Sequence, residues 1–279
     1  PCLRVQWGIS LTYKDDKSVI VIGGGIAGLT AGSLLAHEGI DVTLIEAHNQ
    51  LGGCAGTFRR GPFIFDVGAT QVAGLEKGGI HERIFRHLQC SAPIANIIDP
   101  ACVVHLGDDT KPIYLWHEPK KWERERNKQF PGSEPFWNLC NQLHKSNWKF
   151  AVKDPILPVQ NLWDFKQLFK AVQPSNVVSA LFSRASIADL LWICSCSNDV
   201  RLRKFLDLQL KLYSQENAEE TSALYGATVL HMAQDPLGLF HLDGSMQKLS
   251  DHLTDCFLRD GGNLLTSHTV ISLVSRNNK

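Results

Sequence analysis

The most constraining feature of this 279-residue chain is the stretch VIVIGGGIAGLTAGSLLAHEGIDVTLIEA, which begins at Val19. The apolar, β-branched run Ser18–Ile22 predicts a strand buried on both faces. A glycine turn, a helix over 26–38 that stops at Gly39, and a second strand over 42–46 follow. These predictions complete a βαβ unit, which commits this part of the chain to a parallel sheet.

The glycine turn has the pattern Gly23-x-Gly25-x-x-Gly28, placed directly after a strand and at the start of a helix. That context indicates a dinucleotide site, because each glycine has a separate physical task. Gly23 permits the tight turn, Gly25 lets the backbone approach a pyrophosphate, and Gly28 lets the helix pack closely. The first helical residues, Ile26 and Ala27, place the pyrophosphate at the positive end of the helix dipole.

The nature of the dinucleotide is indicated by the residues that follow the second strand. Glu46, at the end of that strand, is placed to accept hydrogen bonds from the adenosine ribose and would repel the 2′-phosphate of NADP. Gly52 and Gly53 would let the backbone approach the ribityl chain of FAD, and Gly68 would let it lie against a flat ring. The sequence therefore predicts FAD, against the alternative of a glycine turn that binds nothing.

The strings VIGGGIAGLTAGSLLAHEGIDVTLIEAHNQLGGCAGTF and FDVGATQ resemble the FAD-dependent phytoene-desaturase-like oxidoreductases of the amine-oxidase group. The resemblance implies that Glu46 holds the ribose, that the glycine pair lies near the ribityl chain and pyrophosphate, and that the backbone of Val270 contacts the adenine. Arg59 is a weaker inference, because family members vary there. The remaining FAD-binding residues that the resemblance implies are Ala47, Ala69 and Thr70.

Later strings, such as FLDLQLKLYSQENAEETSALYGA, resemble the carotenoid desaturases of cyanobacteria. This implies removal of two hydrogens from an acyclic hydroxylated carotenoid by hydride transfer to the flavin, with quinone or oxygen as the electron acceptor. A carotenoid cis–trans isomerase that uses reduced FAD, an inactive flavin-binding fragment and an amine oxidase for small polar substrates remain alternatives. His81, His231 and His241 are candidate bases, but no spacing pairs any of them with an orienting group, so no catalytic residue is predicted.

The predicted fold is α/β, a Rossmann-like FAD-binding domain made of two chain segments with an inserted, mainly helical substrate and membrane-facing domain. The FAD-binding segments are expected at 18–110 and 236–279, the helical domain at 111–235, and 1–17 is an unassigned extension. Members of the resembled family are considerably longer. The chain is therefore expected to be truncated at its C-terminus.

Composition and cysteine spacing give no support for nucleic acid or a metal ion as a partner. The 28 basic and 28 acidic residues balance, which gives no electrostatic case for nucleic acid. Eight cysteines at irregular spacing are expected to be reduced thiols, and Cys194 and Cys196 have no second pair at zinc-site spacing, so no metal is predicted.

Apolar patches with basic neighbours point to a membrane surface. The strings LWDFKQLF, LLWIC and VVSALF lie near Lys166, Lys170 and Arg184. Such stripes suit helices that lie on a membrane surface, and they also suit helices that pack into a core. The carotenoid substrate that the resemblance implies favours the membrane, and we therefore expect a cytoplasmic protein that is peripheral on a membrane face, a thylakoid or plasma membrane if the chain is cyanobacterial.

Overall fold

The computed structural model describes residues 18–107, 111–153, 155–156, 158–172, 176–234 and 238–274. The strands are β1 (Ser18–Ile22), β2 (Asp41–Ile45), β3 (Thr57–Arg60), β4 (Phe63–Asp66), β5 (Ala95–Ile97), β6 (Cys102–Val104), β7 (Ile113–Leu115), β8 (Phe240–Leu242) and β9 (Asn263–Leu265). The helices are α1 (Ile26–His37), α2 (Ile80–His87), α3 (Pro119–Gln129), α4 (Glu134–Ala151), α5 (Leu162–Ala171), α6 (Asn176–Leu181), α7 (Ile187–Ile193), α8 (Val200–Tyr213), α9 (Ala223–Val229) and α10 (Gln247–Arg259).

The described residues form two compact units. The first unit contains the described residues up to Thr70, residues His81–Ile94 and the described residues from Leu242 onward. The second unit contains the described residues of Gln71–Ile80 and Ala95–His241.

The first unit is built on a parallel sheet in the order β1-β2-β9. Helices α1 and α10 pack against each other, and the buried hydroxyl of Ser33 on α1 donates to the carbonyl oxygen of Leu253 on α10 at 3.0 Å. Apolar side chains that are fully or almost fully buried fill this unit: Leu29, Val42, Leu44, Phe85, Leu88, Leu253 and Phe257. This is the Rossmann-like arrangement that the βαβ pattern predicts.

Strand β1 differs from the prediction that both of its faces are buried. Its side chains alternate, and Ile20 and Ile22 are exposed. Val21 faces α1, since a Cβ atom built at Gly28 would lie 3.4 Å from its Cγ1 atom. The prediction is wrong because Ile20 and Ile22 point to the face opposite Val21, and that face is left exposed.

The second unit is mainly helical and has its own core. The antiparallel pair β6–β7 and a second two-stranded pair, β5–β8, accompany helices α3 to α9. Its centre is aromatic: the rings of Trp122 and Trp137 meet edge to face at 5.8 Å, and Phe130 and Phe205 lie 5.2 Å apart. A core of this size makes the unit a separate folded body rather than an extension of the sheet.

The domain boundaries expected from the sequence differ from this division. The boundary between 110 and 111 falls inside the β6–β7 hairpin, in which Val103 pairs with Tyr114. Antiparallel pairing keeps both strands in one unit, so the second unit begins before the hairpin.

Helices α6 and α7 follow each other closely in the chain but are separate. The second has its own start signal: the hydroxyl oxygen of Ser186 accepts from the backbone N–H of Asp189 at 3.1 Å, and the carboxylate of Asp189 accepts from the N–H of Ser186 at 2.8 Å. This reciprocal capping box begins a new helix, because the Ser186 side chain satisfies a donor that a continuous helix would bond internally.

The expectation of reduced thiols is wrong for one pair. Cys90 and Cys256 form a disulfide within the first unit, with their Cα atoms 6.6 Å apart. Five further cysteines carry free thiols: Cys54, Cys102, Cys140, Cys194 and Cys196. Within the described ranges, the His, Cys, Asp and Glu side chains nowhere gather in threes that could hold a metal ion. None of the helices described is both long and apolar enough to cross a bilayer.

Candidate functional site

The glycine turn between β1 and α1 is shaped by two of its glycines. Gly23 has a φ of 101°, in the left-handed region that favours glycine, and its N–H donates to the carbonyl oxygen of Ile45 at 2.8 Å. A Cβ atom at Gly28 would overlap the carbonyl oxygen of Gly23. Gly28 therefore lets α1 begin directly against the turn.

Gly25 has a different surrounding, because a Cβ atom built there meets no atom within 4 Å. It is the N-cap residue of α1, no side chain caps the helix, and the first turn contains no acidic residue. The backbone at Ile26 and Ala27 thus presents a helix N-terminus with a positive dipole end beside open space. This is the arrangement that binds a phosphate group.

Glu46 follows β2 and turns its carboxylate back to the glycine turn. Its Oε2 atom accepts from the backbone N–H of Gly24 at 2.6 Å, and its Oε1 atom accepts from the N–H of His48 at 2.8 Å. These N–H groups, with that of His48 contributing most, hold the pKa of the Glu46 carboxyl below its usual value. The group is therefore an anionic acceptor at neutral pH, placed at the same edge of the sheet as Gly25.

The glycine pair after β2 lies against the turn. The N–H of Gly52 donates to the carbonyl oxygen of Gly24 at 2.8 Å, and Gly52 forms a bridge with Gly25. A Cβ atom at Gly52 would lie 2.8 Å from the hydroxyl of Ser250 on α10, while one at Gly53 would lie 3.4 Å from the Cα atom of Gly25. The structure thus gives Gly52 a packing reason to be glycine, and only Gly53 faces the open side.

A cavity of about 440 Å³ opens beside these residues. It lies within the first unit and is lined by Glu46, His48, Asn49, Gln50, Leu51, Gly53, Cys54, Gly56, Thr57 and Val67. The sequence analysis singled out only Glu46 and Gly53 among these. The others have no motif signal, because they reach the cavity through the fold of the 48–57 loop rather than through a spacing.

The segment with Gly68, Ala69 and Thr70 follows the β3–β4 hairpin. The N–H of Ala69 donates to the carbonyl oxygen of Cys54 at 3.2 Å, which holds this segment against the loop after the glycine pair. All three residues are exposed. Arg59, on β3, pairs with Ile64 across the hairpin and is exposed as well.

Val270 lies in a segment without regular structure. Two nearby bonds fix the start of the segment: the N–H of Ser267 donates to the carbonyl oxygen of His48, and that of His268 to the carbonyl oxygen of Glu46, both at 2.9 Å. Val270 follows closely on this attachment. Ala47, between the two acceptors, is exposed.

The histidines considered as bases have different surroundings. Burial lowers the pKa of His81, and burial lowers that of His231 to about 4. His231 is buried in the second unit. In the same unit, the ring nitrogen Nε2 of His241 lies 2.8 Å from the side-chain amide nitrogen of Gln71. None of the three lines the cavity described above.

These residues fit a dinucleotide. An open N-cap glycine, an uncapped helix N-terminus and an anionic carboxylate occur together beside the cavity. Gly25 and the start of α1 would hold the pyrophosphate, Glu46 the ribose, and the cavity beside Gly53 would receive the chain that continues from the pyrophosphate.

Comparisons with known proteins agree with this geometry. Residues 21–88 match the family model described as an NAD(P)-binding Rossmann-like domain. Human all-trans-retinol 13,14-reductase is 25% identical over 269 residues, 93% of this chain and 42% of that protein. Chloroplastic prolycopene isomerase 2 of an Oncidium hybrid cultivar is 26% identical over 275 residues, 95% and 45% of the two chains. A 4,4′-diapophytoene desaturase of Methylomonas is 23% identical over 268 residues, 94% and 49%.

Two solved structures share the fold. An oxidoreductase from Methanosarcina mazei has a TM-score of 0.56 at 17% identity, covering 94% of this chain and 54% of that one. Putrescine oxidase with bound putrescine has a TM-score of 0.53 at 16% identity, covering 90% and 50%.

The chain spans less than half the length of each of the three curated relatives. Its N-terminal part is a Rossmann-like dinucleotide-binding domain, and over nearly its whole length it is a relative of oxidoreductases and isomerases that are named for retinoid and carotenoid substrates.

Proposed function

We propose that this chain is part of an FAD-dependent oxidoreductase that desaturates an acyclic hydroxylated carotenoid in carotenoid biosynthesis. The observation that carries the proposal is the joint placement of the open Gly25 turn and the Glu46 carboxylate beside the cavity, in a chain related to carotenoid and retinol enzymes. The placement of Gly25 and Glu46 supports a dinucleotide, and the relationship to carotenoid and retinol enzymes supports a polyene substrate.

FAD is favoured over NAD by what lies beyond the pyrophosphate. The cavity is lined by Gly53, Thr57 and Val67 as well as Glu46, which gives room for a cofactor that extends along the loop. The Gly68–Ala69 segment is held to Cys54, one of the lining residues. These residues would hold the ribityl chain and place backbone beside the flavin.

When bound, FAD would accept the hydride in a desaturation that also releases a proton, and a quinone or oxygen would take the electrons onward. The residues of this chain bind and orient: the start of α1 fixes the pyrophosphate and Glu46 fixes the ribose. A helical unit with its own core is available to hold an apolar polyene. The strings that resemble cyanobacterial enzymes favour a desaturase of the C-3′,4′ type.

An isomerase is the second candidate, because the Oncidium prolycopene isomerase is 26% identical to this chain and the Methylomonas desaturase 23%. Reduced FAD would then be the cofactor of a cis–trans isomerisation that has no net redox change. A flavin-binding protein without turnover is a third candidate, since one relative is an inactive all-trans-retinol 13,14-reductase of Danio rerio, 24% identical over 92% of this chain.

The mass of the product separates these candidates. The full-length natural protein, loaded with FAD, is incubated with an acyclic hydroxylated carotenoid and a quinone. Desaturation predicts a product that has lost two hydrogens, whereas isomerisation predicts an unchanged mass with a new retention time. A gain of two hydrogens with reduced FAD would replace the proposal by a reductase. Absence of turnover with bound flavin would favour the inactive protein.

A further inference from the structure

Helix α5 of the second unit carries an unusual set of exposed side chains. Leu162 is 88% exposed, Trp163 52%, Phe165 58% and Phe169 75%. A soluble surface rarely collects three aromatic rings and a leucine on one short helix. The helix is nevertheless anchored, because Asp164 and Ala171 on it are buried.

The exposed residues share one face. Successive residues of an α-helix are about 100° apart, which places Leu162, Phe165 and Phe169 along one stripe. Lys166 and Lys170 follow that stripe on one flank, and both are exposed. The buried residues Asp164 and Ala171 occupy the opposite side. The apolar stripe is therefore the outward face of the helix, not a seam with the core.

The charge on the outward face has a single sign. Asp164 is the only acidic residue of α5, and its Oδ2 atom accepts from the backbone N–H of Gln160 at 3.0 Å. The side chain of Asn161 in turn accepts from the N–H of Asp164 at 2.9 Å. The carboxylate is thus used inside the helix start, and only the two lysines offer charge to the outside.

The apolar character continues on either side of the helix. Val152, Ile156 and Val159 precede α5 and are exposed, and Val172 follows it with its side chain exposed. The surface made by these four residues and the outward face of α5 is called the α5 surface below.

We propose that the α5 surface docks onto an anionic lipid bilayer, with α5 lying in the plane of the headgroups. Aromatic and aliphatic side chains would enter the acyl boundary while the two lysines meet anionic headgroups. A helix of ten residues is about half the length needed to span the hydrocarbon core, so α5 can lie on the bilayer but not cross it.

A second copy of the chain is a less suitable occupant than a lipid surface. An isologous contact through the α5 surface would place Lys166 and Lys170 of both copies in one interface. With no exposed carboxylate on the helix to pair with them, the contact would be repulsive at low salt. An anionic lipid surface complements both the charge and the apolar stripe.

The test is co-sedimentation of the chain with vesicles, followed at low and high salt. Vesicles of phosphatidylcholine with phosphatidylglycerol are expected to bind the protein, and pure phosphatidylcholine vesicles are expected to bind it less. High salt is expected to reduce the difference in binding between the two kinds of vesicle. Emission of Trp163 is expected to shift to shorter wavelength on binding, and the Trp163→Phe variant to lose that part of the shift.

Two variants locate the contact. Phe165→Glu together with Phe169→Glu replaces two exposed rings by charge and is expected to lower vesicle partitioning about tenfold or more. Leu212→Glu, at a residue of α8 that is 67% exposed, is the matched control and is expected to bind normally. Circular dichroism melting is expected to show that both variants fold, since all three positions are solvent-facing.

The proposal is overturned if the folded double variant binds vesicles as well as the unchanged protein, or if the unchanged protein binds no vesicles. A dimer that the double variant abolishes, without vesicle binding, would assign the α5 surface to a second copy. The readout is independent of flavin binding and turnover, so it separates this proposal from the proposed function.

Discussion

The carboxylate of Glu46 and the backbone N–H of Gly24 form a 2.6 Å hydrogen bond that joins the end of β2 to the glycine turn before α1. Together with the bond from His48, it keeps the carboxyl ionised and oriented at the edge of the sheet. A nucleotide with its pyrophosphate at Gly25 would place its ribose beside this carboxylate.

Replacing Glu46 by Gln is therefore expected to weaken FAD binding by about tenfold to a hundredfold. A neutral amide loses the charge-assisted hydrogen bonds to the ribose hydroxyls, which contribute about 1.5 to 3 kcal/mol. Flavin fluorescence quenching, titrated with FAD, measures the change. Asp41→Asn is the matched control, because this exposed residue lies at the other end of the same strand and is expected to leave the affinity unchanged.

A pair of alanine substitutions separates the roles of two glycines in the turn. Gly28→Ala is expected to lower the free energy of unfolding by about 2 kcal/mol or more, because its Cβ atom would overlap the carbonyl oxygen of Gly23. Gly25→Ala is expected to cost less than about 1 kcal/mol, since its φ of −71° suits alanine and its Cβ atom would meet open space.

Flavin binding is the second readout for the same pair. Gly25→Ala is expected to fold and yet lose FAD affinity, because its methyl group would stand where the pyrophosphate approaches. Urea unfolding and FAD titration on both variants check this. If Gly25→Ala binds FAD as tightly as the unchanged protein, the pyrophosphate does not lie at this turn.

The βαβ unit and the tasks of Gly23 and Gly28 could be predicted from the sequence, because they depend on residues close together in the chain. The packing of Gly52 against Ser250 could not, since its partner is on a helix at the far end of the sequence. The same holds for the exposure of Ile20 and Ile22, which depends on which strands and helices adjoin β1.

Helix α5 shows a related limit. An apolar stripe in a sequence has the same spacing whether it faces a core or the outside. Only the burial of Asp164 and Ala171 shows which face of α5 is turned inward. The cavity residues around Leu51 and Cys54 carry no spacing signal, because a loop brings them together.

The second unit is expected to lose stability in mildly acidic solution because of His231. This side chain is 6% exposed, its Nδ1 atom bonds to the carbonyl oxygen of Ala227 at 2.9 Å, and its ring stacks on that of His144 at 5.5 Å. Burial lowers its pKa from 6.5 to about 4. The neutral ring is thus favoured in the folded state, while the unfolded chain takes up a proton below about pH 6.5.

The contribution of His231 is therefore complete above pH 6.5 and is lost as the pH falls towards 4. At pH 5 the linkage relation gives a loss of about 2 kcal/mol relative to pH 8, from this group alone. Urea unfolding at the two pH values measures it. In His231→Gln the free energy of unfolding is expected to differ less between the two pH values, by about that amount, because the amide does not titrate. The variant is expected to be less stable than the unchanged protein at pH 8. His105→Gln, at an exposed position of the same unit, is the control and should keep the full pH dependence. An unchanged pH dependence in His231→Gln would mean that another buried group takes up the proton.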